Sequence, residues 1–263
     1  MRDLRIFSLY FQHVFQHRAR AFVYFLISFI NPLVLLMFWT GASQGRTFEH
    51  GWTLEKIQTY YLLIIVAQSA LIHHIEIHIA FIDIKQGELI RDLLKPISYL
   101  KLRAFMEFPW RIFQGSYGIV AVLIFLTFGF KLYLTQDTSI IFMSIVVTIL
   151  AFIFSFLLKM VIGLFAFWMT DVDSVLESND VLIILFSGTL MPLNLMPEAI
   201  QNVMNFTPYP YIIYYPVSSF IGLYSQSRLN EIMVVQLCWI VGLYFLYKIL
   251  WKNGLKVFTG VGQ

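Results

Sequence analysis

The chain has 263 residues, of which 59% are hydrophobic and 13% charged, with a formal net charge of +3. Soluble domains carry about 25% charged residues, so too few polar side chains remain to cover a water-exposed surface. The apolar residues come in long runs that only lipid or neighbouring spans can cover, which predicts an all-α integral membrane protein. No basic run is interleaved with exposed aromatics, so nucleic-acid binding has little support and no nucleic-acid partner is expected.

Leu4, Phe7, Phe11, Val14 and Phe15 recur at helical spacing opposite Arg5, Ser8, Gln12, His13 and Gln16. That pattern predicts a helix over 3–18 lying in the membrane interface. The first apolar run is too long and too late for a cleaved signal peptide, and no small-residue cleavage site follows it. It reads as an anchor. Six spans are expected, at about 21–41, 57–81, 106–130, 139–169, 180–195 and 231–250. Every run but the fifth easily meets the roughly 20 residues that cross a bilayer core. Cys238 has no partner for an intrachain disulfide and reads as a small buried hydrophobe.

Lysine and arginine placement sets the orientation. Arg2, Arg5, Arg18 and Arg20 precede the first span. Lys85, Arg91, Lys95, Lys101 and Arg103 lie between the second and third, and Lys248, Lys252 and Lys256 sit at the C-terminal end of the sixth and just beyond it. The opposite side has only Arg46, Lys56, Lys131 and Arg228. Both termini are therefore expected in the cytoplasm. The segment from Asp171 to Asp180 is an acidic cytoplasmic loop, and acidic residues count little in this rule.

The fifth span is interrupted by Gly188 and Pro192. Pro197 is placed to open a short helix whose apolar face is Ala199, Ile200, Val203 and Met204. Pro208, Pro210 and Pro216 then punctuate a stretch holding Tyr209, Tyr211, Tyr214 and Tyr215. Residues 189–229 read either as a re-entrant element dipping in from the outer face or as an outer loop with an aromatic belt.

Catalytic constellations are missing. The segment Gly41 to Thr47 has the wrong spacing for a phosphate loop, and there is no Gly-x-Ser-x-Gly, no His-Glu-x-x-His and no cysteine pair. His73, His74, Glu76 and His78 suggest a metal site, but Glu76 is expected to rotate off the His74–His78 face, and no metal is assigned. A polar stripe facing a vestibule or a partner is the reading preferred. Glu107 and Arg111 are spaced for a local ion pair. Lys159 is expected to face the bundle interior or snorkel to the surface.

The loop from Asp83 to Pro96 combines Ile82, Leu89, Ile90, Leu93, Leu94 and Ile97 at helical spacing with Lys85, Glu88, Arg91, Asp92 and Lys95. Gly87 allows a sharp turn and Pro96 ends the helix. Such a helix either docks a soluble partner or packs on the membrane surface. The sequence here resembles the permease subunit of ABC type-2 exporters, in a subfamily long catalogued as a domain of unknown function. Gly87-Glu88-Leu89 and Leu93-Leu94-Lys95-Pro96 resemble its coupling helix. Ala166-Phe167-Trp168 with Asp171 resembles the end of its fourth span. Phe186-Ser187-Gly188, Pro192-Leu193, Pro197, Pro208-Tyr209, Tyr215-Pro216-Val217 and Gly222 resemble its fifth span and outer re-entrant helices. Thr207-Pro208-Tyr209-Pro210 and the histidine-rich second span depart from the pattern.

The resemblance implies a single six-span domain with a coupling helix over 83–97 and a re-entrant element over 189–229. It implies a non-catalytic subunit of an ATP-driven exporter, paired with a second, identical or homologous permease and two ABC ATPase subunits. The ATPase subunits would bind ATP and Mg, and this chain would need no cofactor. Lys85, Gly87, Glu88, Leu89, Arg91, Asp92, Leu94 and Pro96 would couple to the ATPase. Gly188, Pro192, Pro197, Phe206, Pro208, Tyr209, Tyr211, Tyr214 and Tyr215 would line the substrate path or outer gate, with the aromatics stacking on an aromatic or cationic substrate. The expected setting is a bacterial plasma membrane, and the expected cargo an amphipathic or lipid-like molecule, as in multidrug efflux. A proton- or ion-coupled secondary transporter is the alternative reading; it would favour inverted repeats and mid-membrane broken helices.

Overall fold

Thr53, Asp137 and Ser225 each present a side-chain oxygen to the unpaired amides of the turn that follows, and each opens a long apolar helix. The computed structural model describes residues 2–42 and 51–260, and no strand occurs among them. The helices are α1 (Arg2–Gln16), α2 (Arg18–Ala42), α3 (Leu54–Leu71), α4 (Ile75–Ile77), α5 (Leu89–Leu93), α6 (Tyr99–Thr127), α7 (Thr138–Leu164), α8 (Asp173–Phe186), α9 (Glu198–Asn205), α10 (Tyr214–Phe220) and α11 (Gln226–Val257). A π-helical stretch, His78–Lys85, continues α4. Arg46 and most of the segment from Gly41 to Thr47 lie outside the described residues.

Among the described residues, five helical runs are long and apolar enough to cross a membrane: Arg18–Ala42, Leu54–Lys85, Tyr99–Thr127, Thr138–Phe167 and Gln226–Val257. The fifth expected span, 180–195, does not form as such. Its helix is α8, with 14 residues. At 1.5 Å per residue that is about 21 Å, short of the roughly 30 Å of hydrocarbon. α8 starts early because Asp173 and Glu177 suit a helix N-terminus, and it stops before Gly188, whose φ is 86°. The second span is also interrupted, at 72–74. There His73 turns inward, its Nε2 3.2 Å from the Phe152 carbonyl and its Nδ1 3.4 Å from Glu107.

α7 is the central helix. Its residues Phe154 to Leu164 are buried without a break, as expected of a helix surrounded by others. α11 packs along it. The outward faces carry Phe22, Ile27, Met37, Phe142 and Phe245, all exposed, which suits contact with lipid. Cys238 also lies on such a face rather than being buried, because its side of α11 has no neighbouring helix. α1 forms as expected, but its apolar face meets protein. Phe7 sits on Phe105 and Phe15 on Phe113, with centroids 5.9 and 5.1 Å apart, so α1 runs in step with the first half of α6.

Two ends of the bundle can be told apart. At one, Thr59 accepts from the Tyr133 amide, Thr135 donates to the Phe220 carbonyl and Trp52 donates to Asn194. At the other, Arg103 binds Asp83, Tyr99 stacks on Trp251 at 4.4 Å and Phe167 packs against Gly254. They are called the Trp52 end and the Arg103 end below.

Candidate functional site

The loop between the second and third long runs is held by one buried guanidinium. Arg103, on α6, donates to Asp83 at 2.6 Å and to Asp92. The Tyr99 hydroxyl also donates to Asp83, and Lys95 donates to Asp92 at 2.7 Å. Arg103 is 1% exposed and lies over the Tyr99 ring at 4.9 Å. His78 Nδ1 lies 3.3 Å from Asp83. Both flanks of the loop are thus tied to α6, and the Lys85 ammonium adds a bond to the Met169 carbonyl. Charges buried in this way require such pairing.

This clamp divides the expected docking residues. Gly87, Leu89 and Asp92 are buried within it, while Lys85 is half-buried. Glu88, Ile90, Arg91, Leu93, Leu94, Lys95 and Pro96 are exposed, with Leu94 at 81%. Glu88 and Arg91 pair across the surface at 2.8 Å. The helix itself is only Leu89–Leu93 rather than 83–97, because 83–85 still belong to the π-helical run and Gly87 turns the chain. Sequence reasoning passed over Asp83, Tyr99 and Arg103. The signal was there: Asp83 and Arg103 bracket a short amphipathic helix that itself carries Asp92.

Two further ion groups lie deeper. Arg111 Nε donates to Glu107 at 2.7 Å, as the spacing predicts, and another Arg111 nitrogen donates to Gln114. Lys159 is buried and donates to Glu76 and Asp180, both at 2.7 Å. Of the two placements expected for it, the bundle interior is the one found. Gly163 makes this possible, since a Cβ there would come within 3.1 Å of the Glu76 backbone. Contrary to expectation, Glu76 approaches His74, at 3.8 Å, because His74 lies in the break at 72–74 and the helix recommences at Ile75. Ligand atoms of His74, Glu76 and Asp180 lie within 4.8 Å of one another, and the Lys159 ammonium already bonds two of these residues.

After α8 the chain rises, dips and rises again. The carbonyls freed at its end are taken by aromatic donors from α2 and α3. Tyr60 donates to Gly188 at 2.8 Å, while Tyr61 and Trp39 donate to Leu190 at 2.7 and 3.0 Å. Asn194 reaches the Trp52 end, and then the chain descends. Gln236 Nε2 donates to the Tyr211 and Val147 carbonyls at 3.1 and 3.2 Å. Gln236 lies ten residues into α11, so Tyr211 sits about 15 Å below that helix's start. α10 climbs back to meet Thr135. Tyr211, Tyr214 and Tyr215 are buried against one another, with centroids 4.7 and 5.2 Å apart. Their faces are therefore not presented for stacking on a ligand. Pro192 and Pro210 are buried, Pro208 and Tyr209 half-buried, and Pro197 exposed. Phe206 is 85% exposed at the end of α9.

A family model described as ABC-2 family transporter protein matches residues 29–262. The chain belongs to the ABC-2 transporter family. A search of curated proteins finds no match. As an ABC-2 family member the chain is the membrane component of a transporter, and the family implies ATPase partners. The family's transport components are generally non-catalytic. In this ABC-2 protein the buried charged side chains among the described residues collect in three groups, around Arg103, Arg111 and Lys159, each tying a helix to a neighbouring segment.

Proposed function

We propose that the chain is the permease of an ATP-driven exporter, working with a second permease and two ATPase subunits that bind ATP and Mg. The observation that carries this reading is the clamped loop with its exposed tip. A docking surface must be exposed, and it must also be stiff, or the partner's motion dies in the loop. Glu88, Arg91, Leu93 and Leu94 meet the first need, and the Arg103 clamp meets the second. Closure of the ATPase dimer on ATP would push the tip. Arg103 would pass that displacement to α6, and the π-helical run to α4 and α3. A π-helical run marks a place where a helix can readjust.

The segment 189–229 serves, in this reading, as a re-entrant outer gate. Non-helical backbone at membrane depth is tolerated where protein satisfies it, and Tyr60, Tyr61, Trp39 and Gln236 do so. The buried tyrosines act as the packed plug of that gate, and α9 with Phe206 lies at the outer headgroups. Both termini lie in the cytoplasm of a bacterial plasma membrane, and the cargo is amphipathic or lipophilic. The test is charge reversal at the tip in the assembled transporter. Glu88→Arg and Arg91→Glu should each lower transport about tenfold, the loss of roughly 1.4 kcal/mol of coupling, without lowering the amount of inserted protein. Unchanged transport and unchanged ATPase stimulation in both variants would overturn the docking site.

A further inference from the structure

Glu76 and Asp180 share the single ammonium of Lys159, which leaves one negative charge over at the edge of the bundle. The Lys159 ammonium bonds one oxygen of each carboxylate, and Lys159 and Glu76 side chains are each 1% exposed. The two carboxylates and the one ammonium sum to a net charge of −1. The other buried groups balance: Glu107 has Arg111, and Asp83 with Asp92 has Arg103 with Lys95. Glu76 Oε2 also has no hydrogen-bond partner despite its burial. An acceptor of that kind is costly to leave unpaired.

One side of the group is open. The side chains of His74 and Asp180 are 49% and 43% exposed, and ionisable groups at such depth face a cavity or a partner rather than lipid. A second observation points the same way. Asp173, Glu177 and Asp180 stand at i, i+4 and i+7 on α8, forming one face that runs from the helix start to Lys159. No lysine or arginine lies between 171 and 186. The helix dipole accounts for acids in the first turn, but Asp180 is two turns in. A row of like charges raises the local concentration of counter-ions along it.

We propose that this group binds the cationic head of an amphipathic molecule, guided along the α8 stripe to the exposed side of Asp180, with the buried Glu76 carboxylate adding its charge from behind. The proposal takes its ligand class from the exporter reading, but the binding itself needs no ATPase. The test uses the whole purified chain in detergent, with tetraphenylphosphonium as the cationic probe and triphenylphosphine oxide as a neutral one, by equilibrium dialysis. Wild type should bind the cation about tenfold more tightly than the neutral probe, a difference of roughly 1.4 kcal/mol. Asp180→Asn should remove that preference and leave neutral-probe binding as it was. His74→Arg, on the exposed side, supplies the missing positive charge within the chain and should remove it too. Equal affinity for both probes in wild type, or a cation preference surviving in both variants, would overturn the proposal. Since no ATPase is present, that failure would leave the exporter reading standing, and loss of ATPase docking would leave the binding result untouched.

Discussion

Replacing Arg103 by methionine would strand Asp83 and Asp92 in a buried site without their shared guanidinium. Removing one partner of a buried ion pair costs about 3–5 kcal/mol, whereas exposed pairs contribute about 1 kcal/mol or less. Arg103→Met should therefore sharply lower the thermal midpoint of the purified chain, and Arg91→Glu should barely move it. Equal midpoints would mean that the clamp does not hold the loop. Gly188 offers a second contrast. Its φ is +86°, and an added Cβ would lie 2.7 Å from the Tyr60 hydroxyl and 2.8 Å from the Tyr214 Cβ. Gly188→Ala should destabilise the chain through both strain and overlap. At Gly242 an added Cβ meets nothing within 4 Å, so Gly242→Ala should be neutral or mildly stabilising in the same melt. A neutral Gly188→Ala would contradict the described packing.

At the scale of elements, the long apolar runs were legible because each exceeds the bilayer core and is bounded by charge. The short α8 was half legible. Gly188 and Pro192 marked its end, but its start at Asp173 was masked by an acidic stretch that reads as loop. The break at 72–74 was not legible, since it depends on Glu107 and the Phe152 carbonyl, which are distant in sequence. The short helix α5 was legible through Leu89 and its neighbours. The inward turn of Asp92 was not, because a mixed-charge surface looks the same whether one carboxylate meets water or an arginine eleven residues away. Gln236 was likewise an unremarked polar residue within an apolar run until its two carbonyl partners were in place. Gln236→Leu keeps the volume roughly constant and strands the Tyr211 carbonyl, at about 1–3 kcal/mol. The 209–213 turn should then show faster amide hydrogen exchange, while α6 exchanges as before. Unchanged exchange in that turn would mean that Gln236 does not anchor it.

The whole molecule is read as a relay between two ends about a membrane thickness apart: an exposed tip at the Arg103 end and a packed outer segment at the Trp52 end. ABC-2 family membership over residues 29–262 accounts for the apolar bundle. It does not by itself say which surface meets the ATPase. Leu94 is 81% exposed at one end and Phe206 is 85% exposed at the other, so the two residues report on opposite faces. The direct measurement is site-specific cross-linking in the transporter purified from its native host. Leu94→Cys and Phe206→Cys are introduced separately in a Cys238→Ser background and treated with a short thiol-to-amine cross-linker. Leu94→Cys should join the chain to the ATPase subunit, while Phe206→Cys should give no such product and should react with an impermeant thiol reagent in intact cells. A Phe206→Cys adduct with the ATPase, or a Leu94→Cys variant that never reaches it, would contradict the relay.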